Sequence, residues 1–212
     1  MSKFEQKWAK EQKPGVGERV REAVRPSGPL KPRLESAIRA IQAQIAKLDA
    51  TTSKLKERDA IIFNKVVASL QKHDTEHANV YANELAEVRK MIKTVTSSKL
   101  ALEQIVLRLN TITELGDIAV TLAPAMAILS KVKRGIISVL PEAEREIGEI
   151  GNLLSSILVE AGQASGSTLN FEVANEDAEK ILAEASAVAE QRMKEKFPEL
   201  PTGVPTGETT FT

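Results

Sequence analysis

Two histidines offer a metal-binding spacing. His73 and His77 stand four residues apart with Asp74 and Glu76 between them. On one helix face such a pair can hold a divalent ion. The competing reading is a solvated turn, and the polar stretch "QKHDTEH" around them favours it, so no metal is expected. Cysteine is absent, which removes thiolate metal sites, disulfides and Cys nucleophiles together. "PGVGERV" contains a Gly-x-Gly, but no strand pattern precedes it and no Gly-Lys-Ser/Thr comes after it, so it reads as linker and not as a phosphate loop. No nucleophile–base set stands out. The sequence predicts a protein that is not an enzyme, carries no cofactor, and draws any energy input from a partner.

A different chemistry is written into "MSKFEQKWAK". The only Trp and one of five Phe sit four residues apart in a chain with 3% aromatics. On a helix Met1, Phe4 and Trp8 share a face, with Lys3, Lys7 and Lys10 beside and opposite. A basic amphipathic helix with bulky apolar residues lies in a membrane interface, a depth that suits the indole ring and its N–H. One short segment binds weakly, so it needs many copies or added electrostatic attraction. The other reading is that Phe4 and Trp8 fold back onto the rest of the chain as a staple.

Net charge is zero, yet residues 1–72 carry 16 Lys/Arg against 8 Asp/Glu, and residues 141–212 carry 5 against 14. A basic front suggests an acidic partner: anionic lipid, nucleic acid, or the chain's own rear. Single-strand binders interleave basic residues with stacking aromatics. Between Trp8 and Phe171 only Phe63 and Tyr81 are aromatic, so nucleic acid is not expected. The longest apolar run, Ile118–Leu129, has 12 residues and contains a Pro, whereas a spanning helix needs about 20. No apolar segment comes after a basic start, so no secretory signal is expected and the protein is expected in the cytosol.

The elements that must position these residues are helices. Residues 14–33 hold four Pro and three Gly and read as a linker. From Leu34 a seam runs through Ile38, Ile41, Ile45, Leu48, Thr52, Leu55, Asp59, Ile62, Val66 and Ser69 in steps of four and three. A second runs Tyr81, Leu85, Val88, Ile92, Val95, Lys99, Leu102, Val106, Leu109 and Thr113. The polar stretch between them, with Asp74 or Thr75 able to cap a new helix, makes an antiparallel hairpin. Gly116 and Pro124 punctuate the segment after the second seam, and Pro124 is expected to break or kink its helix. Pro141 suits the first position of another helix, with Glu142, Glu144 and Glu146 at its positive end. Residues 161–170 read as a loop, and Asn175 as the cap of an acidic last helix ending near Lys196. The sequence therefore predicts an all-α protein. It has an N-terminal arm and linker (1–33) and a helical core (34–160, hairpin to about 115, broken helices beyond). A loop and acidic helix (161–196) and an extended tail (197–212) complete it, with flexible termini.

This order of parts, and the stretches "RLESAIRAIQAQIAKLDATTSKLKERD" and "LNTITELGDIAVTLAPAMAIL", resemble the ESCRT-III family, most closely the short archaeal cell-division paralogues of Cdv B type. The resemblance covers about residues 30–160 and features of the tail. It implies a subunit, peripherally bound at the division site, that polymerises with itself and its paralogues on anionic membrane. The polymer constricts a neck and promotes scission, in cell division or vesicle budding. It also implies disassembly by an AAA ATPase of the Vps4/Cdv C type, whose MIT domain grips the tail. One family motif is an extended, Pro-spaced apolar string. "FPELPTGVP" is similar to it, with Phe197, Leu200 and Val204 alternating with Pro198, Pro201 and Pro205; prolines hold such a ligand extended. The helical family motif is not matched, since "AEQRMKEKF" keeps Arg192 and Met193 but lacks the leucines. The tail holds no winged-helix-like extension, so recruitment by an upstream membrane anchor protein is not expected. In this family subunits change from folded-back to extended at a break after the hairpin, which makes Gly116 and Pro124 the hinge. A membrane-coating stress-response scaffold and a soluble coiled-coil adaptor or chaperone are the alternatives.

Overall fold

The computed structural model describes residues 29–112, 115–165 and 171–199. They form five helices in chain order: α1 (Leu30–Gln71), α2 (Thr75–Asn110), α3 (Leu115–Ile136), α4 (Ala143–Ser165) and α5 (Phe171–Lys196). No strand occurs among the described residues, and none of these helices is long and apolar enough to cross a membrane.

α1 starts at Leu30, four residues ahead of the seam, with Pro29 at its cap and Pro32 in its first turn. The first four amides of a helix have no acceptor within it, so a proline there forfeits nothing. Leu30 is buried in the core, which draws the helix start forward. α1 ends in a Schellman turn: the His73 N–H donates to the Leu70 carbonyl (3.0 Å) and the Asp74 N–H to that of Ser69 (2.9 Å). His73 takes the left-handed conformation this requires, at φ 57°. Asp74 then caps α2, accepting from the His77 N–H at 3.1 Å. That bond, and then the His77 ring, hold its carboxyl below the usual range.

The two seams face each other. Leu34, Ile41, Leu48, Ile62 and Val66 of α1 and Leu85, Val88, Ile92, Val95, Leu102 and Leu109 of α2 are all buried. At 1.5 Å per residue the 42-residue α1 is about 63 Å long and the 22-residue α3 about 33 Å. The shorter helices therefore cover only part of the hairpin. α3 packs against α2, α4 and α5; α4 also lies on α1, and α5 on α2. The result is two cores. The larger gathers the open half of the hairpin with α3, α4 and α5. The smaller lies toward the turn, between Ile62, Val66, Ala82, Leu85, Val88 and Ile92, and takes Met193 and Phe197 from the far end of α5.

Four local expectations need correcting: residues 161–165, read as the start of a loop, are the last turn of α4, with Ala161 buried in the core. Pro124 does not break its helix: α3 is continuous from Leu115 to Ile136 with the proline inside. The buried stripe Ile118, Leu122, Ala125, Leu129, Val132, Ile136 keeps its four-and-three spacing across the proline. Each Ile, Leu or Val of this stripe gains about 1.5–3 kcal/mol on full burial, against about 3 kcal/mol for the proline, so packing wins. The interruption falls earlier, where Thr111 caps α2. Asn175 lies inside α5, which already runs from Phe171, and does not cap it; the buried face of the helix includes Ala174, Ala178, Ile181, Ala185 and Ala189. Pro141 sits in the turn before α4, whose first residue is Ala143.

Candidate functional site

The basic front and acidic rear meet in ion pairs. Arg33 of α1 reaches Glu160 of α4 at 2.6 Å and donates to Ser156 at 2.6 Å. Lys47, fourteen residues along α1, holds Glu146 at 2.5 Å, and the Gln44 amide donates to the same carboxylate. The matched spacing, fourteen residues on each helix, fixes α4 antiparallel on α1. Lys47 first and then Gln44 hold the Glu146 carboxyl below its ordinary value. On the other flank Lys93 of α2 meets Glu190 of α5 at 2.9 Å, and Lys131 of α3 meets Glu179 at 3.1 Å.

The end of α5 reaches the smaller core through a single arginine. Asp59 occupies a seam position of α1 and is 4% exposed. The Arg89 Nε donates to it at 2.8 Å. The guanidinium lies over two rings, 5.9 Å from the centre of Phe63 and 5.4 Å from that of Phe197. Its Nη1 donates to the Pro198 carbonyl at 2.9 Å. Of the tail residues singled out from the sequence, Phe197 and Pro198 thus meet the hairpin directly. Leu200, Pro201, Val204 and Pro205 lie outside the described residues.

Met1, Lys3, Phe4, Lys7, Trp8 and Lys10 also lie outside the described residues. The hairpin, however, presents a surface of the same chemistry. Lys54, Arg58, Ile61, Lys65, Ala68 and the cap residue Lys72 step by four and three along an exposed flank of α1; within it Arg58 pairs with Glu84 of α2 at 2.6 Å and Lys65 lies over the Tyr81 ring. Ile61 is 58% exposed in the middle of four cations, with no acid in the row. The stripe was visible in the sequence as the seam's own spacing shifted back by one residue, but its exposure became clear only from which neighbouring face is buried. Gly116 lies in the first turn of α3 and Pro124 in its middle, so the two hinge candidates do not flank one break. His73 and His77 are exposed at the turn, and His77 bonds Asp74 at 2.8 Å. No three His, Cys, Asp or Glu gather as a metal site among the described residues.

No family model matches the chain, and no solved structure matches it. Among curated proteins it is 45% identical over 173 residues to cell division protein B1 of Sulfolobus acidocaldarius, covering 82% of this chain and 81% of that protein. It is 36% identical over 161 residues to cell division protein B of the same organism, covering 76% of this chain and 62% of that protein. With identity at the first level across four-fifths of both chains, the chain belongs to the archaeal Cdv B-type branch of the ESCRT-III family.

Proposed function

We propose that this protein is a filament subunit in cell division. It polymerises with itself and paralogous subunits on the anionic inner face of the membrane and is turned over by an AAA ATPase that grips residues 197–205. The observation that carries the membrane part is the exposed stripe of Lys54, Ile61, Lys65 and Lys72, joined by Arg58, which is paired with Glu84 of α2. Such a row attracts anionic headgroups within a Debye length, about 10 Å at 0.1 M salt. The Phe4–Trp8 arm adds the apolar anchor that the stripe lacks. The names of the two relatives support the division role, and a filament gives weak single contacts their avidity. A hinge between α2 and α3 lets the folded-back helices swing out for assembly.

Sedimentation with anionic vesicles tests this. Lys54→Glu with Lys65→Glu should lose most binding and should lower its salt dependence. Phe4→Ala with Trp8→Ala should weaken binding without abolishing it, because burying one such ring contributes about 1.5–3 kcal/mol at most. If both variants pellet like the parent, the membrane reading is wrong. A double aromatic variant that pellets normally but melts earlier would assign Phe4 and Trp8 to the staple.

A further inference from the structure

Glycine is distributed unevenly among the helices. α1, α2 and α5, of 42, 36 and 26 residues, contain none, and α3 has only Gly116 and Gly135, in its first and last turns. α4 carries Gly148 and Gly151 in its interior, besides Gly162 in its last turn. Packing does not account for the interior pair. A Cβ at Gly151 would meet nothing within 4 Å, and one at Gly148 would meet only the Lys133 Nζ, at 3.8 Å, the free end of a long side chain. A shallow cleft opens beside Gly148, lined by Lys133, Glu144, Glu149 and Asn152. Alanine would therefore fit at both positions, yet each glycine lowers the helical equilibrium about five-fold relative to alanine. Asn152, Ser155 and Ser156, just beyond, are also weak helix formers.

This weak stretch lies between two fixed points. Glu146 is held by Lys47 and Gln44, and Glu160 by Arg33, fourteen residues apart on α4 as on α1. Long helices curve, and a helix clamped at two points to a longer one must deform whenever that partner bends. We infer that the Gly148–Gly151 turn is a joint, at which α4 bends or opens locally while both of its clamps stay on α1. Without a Cβ, the carbonyls on this half-exposed flank are open to water, and a helix loosens on its solvent side in that way. Ile147 and Ile150 on the one hand, and Leu154 and Ile157 on the other, keep each side of the joint in the core. The open half of the hairpin can then change curvature without losing α4. The joint is a property of the single chain; its use, fitting one subunit to filaments of different curvature, rests on the proposed filament role.

Hydrogen exchange on the full chain tests the joint. Amides of residues 147–153 should exchange faster than those of 154–160, although buried apolar residues recur along both stretches. Gly148→Ala with Gly151→Ala should slow exchange at the joint about twenty-five-fold, and Gly148→Ser with Gly151→Ser should slow it less, since serine is the weaker helix former. Uniform protection along the parent's α4, or an alanine pair that exchanges like the parent, overturns the joint. The chain has no cysteine, so spin labels at Arg145→Cys and Val159→Cys report the span across it, about 21 Å along an unbent helix. That distribution should narrow from the parent to the serine pair to the alanine pair, and equal widths overturn the joint. Filaments on anionic vesicles then test its use. In negative stain the alanine pair should give a narrower spread of diameters than the parent; equal spreads overturn the role in curvature. A serine pair that assembles worse than the alanine pair follows side-chain size and not helix propensity. That result assigns the flank to contact with a neighbouring copy and overturns the inference. A parent that forms no filaments sinks the filament reading, and the exchange rates and label distances still decide the joint.

Discussion

At the hairpin turn one side chain works against its own backbone. His73 holds φ 57° because the Schellman turn needs a left-handed residue between α1 and the Asp74 cap. That conformation costs an L-residue about 1–2 kcal/mol, and glycine adopts it freely. His73→Gly should therefore stabilise the protein by about 1 kcal/mol, after the entropy glycine adds to the unfolded chain. For a chain of this size the melting temperature should rise by about 2–4 °C, followed by circular dichroism. An unchanged or lower value would mean that the imidazole contributes more to the turn than its backbone strain costs. Asp59 and Arg89 show a second residue-scale conflict. A carboxylate at a seam position weakens an apolar interface, yet here it fixes the arginine that meets the end of α5.

The helices differ in how they are held. α1 and α2 share a continuous apolar seam, whereas α4 is fastened to α1 by charge near both ends, through Glu146 and Glu160. The Glu146 carboxyl is held below its ordinary 4.5 by Lys47, then by Gln44. A carboxyl depressed in the folded state contributes stability that is fully present above 4.5 and is lost as pH falls through the depressed value. Thermal melts of the parent should thus fall more steeply on acidification than those of Glu146→Gln. The gap between the two should be widest at neutral pH and close below 4.5. Parallel curves would show that the clamp on α4 is not electrostatic. The proline in α3 illustrates the opposite balance: an apolar stripe that keeps its phase on both sides holds the helix together across a residue that lacks a donor.

Over the whole molecule the charge gradient and the fold act in the same direction. The acidic rear lies on the basic hairpin through Glu146, Glu160 and Glu190, and α5 covers apolar surface of α2 and α3 with Ala178, Ile181 and Ala185. Removing residues 166–212 uncovers that surface and removes the acidic helix. Assembly on anionic vesicles should become faster, seen as an earlier rise in light scattering with ordered filaments in negative stain. A truncated chain that stays monomeric where the full chain assembles would show that α5 is not what restrains it. Raised salt should act in the same direction on closure, while weakening the lipid contacts of the α1 stripe.

The sequence by itself determined the hairpin. Two apolar rows of unbroken four-and-three spacing, separated by a polar stretch with a capping aspartate, leave little freedom in how α1 and α2 pair, because each row can be buried only against the other. It also carried the family, through the order of its parts. The tertiary structure decided whatever depends on a second partner for the same helix. Ala37 and Gln44 of α1 and Ala101 and Ile105 of α2 are buried though they lie off the seams, because α3, α4 and α5 cover the adjoining faces. Pro124 reads locally as a break and is overruled by the packing of α3 between three neighbours. The Arg89 cluster was not legible, since its members come from positions 59, 63, 89, 197 and 198. Local patterns report which face of a helix avoids water; which distant side chains share that face is settled only when the helices have packed.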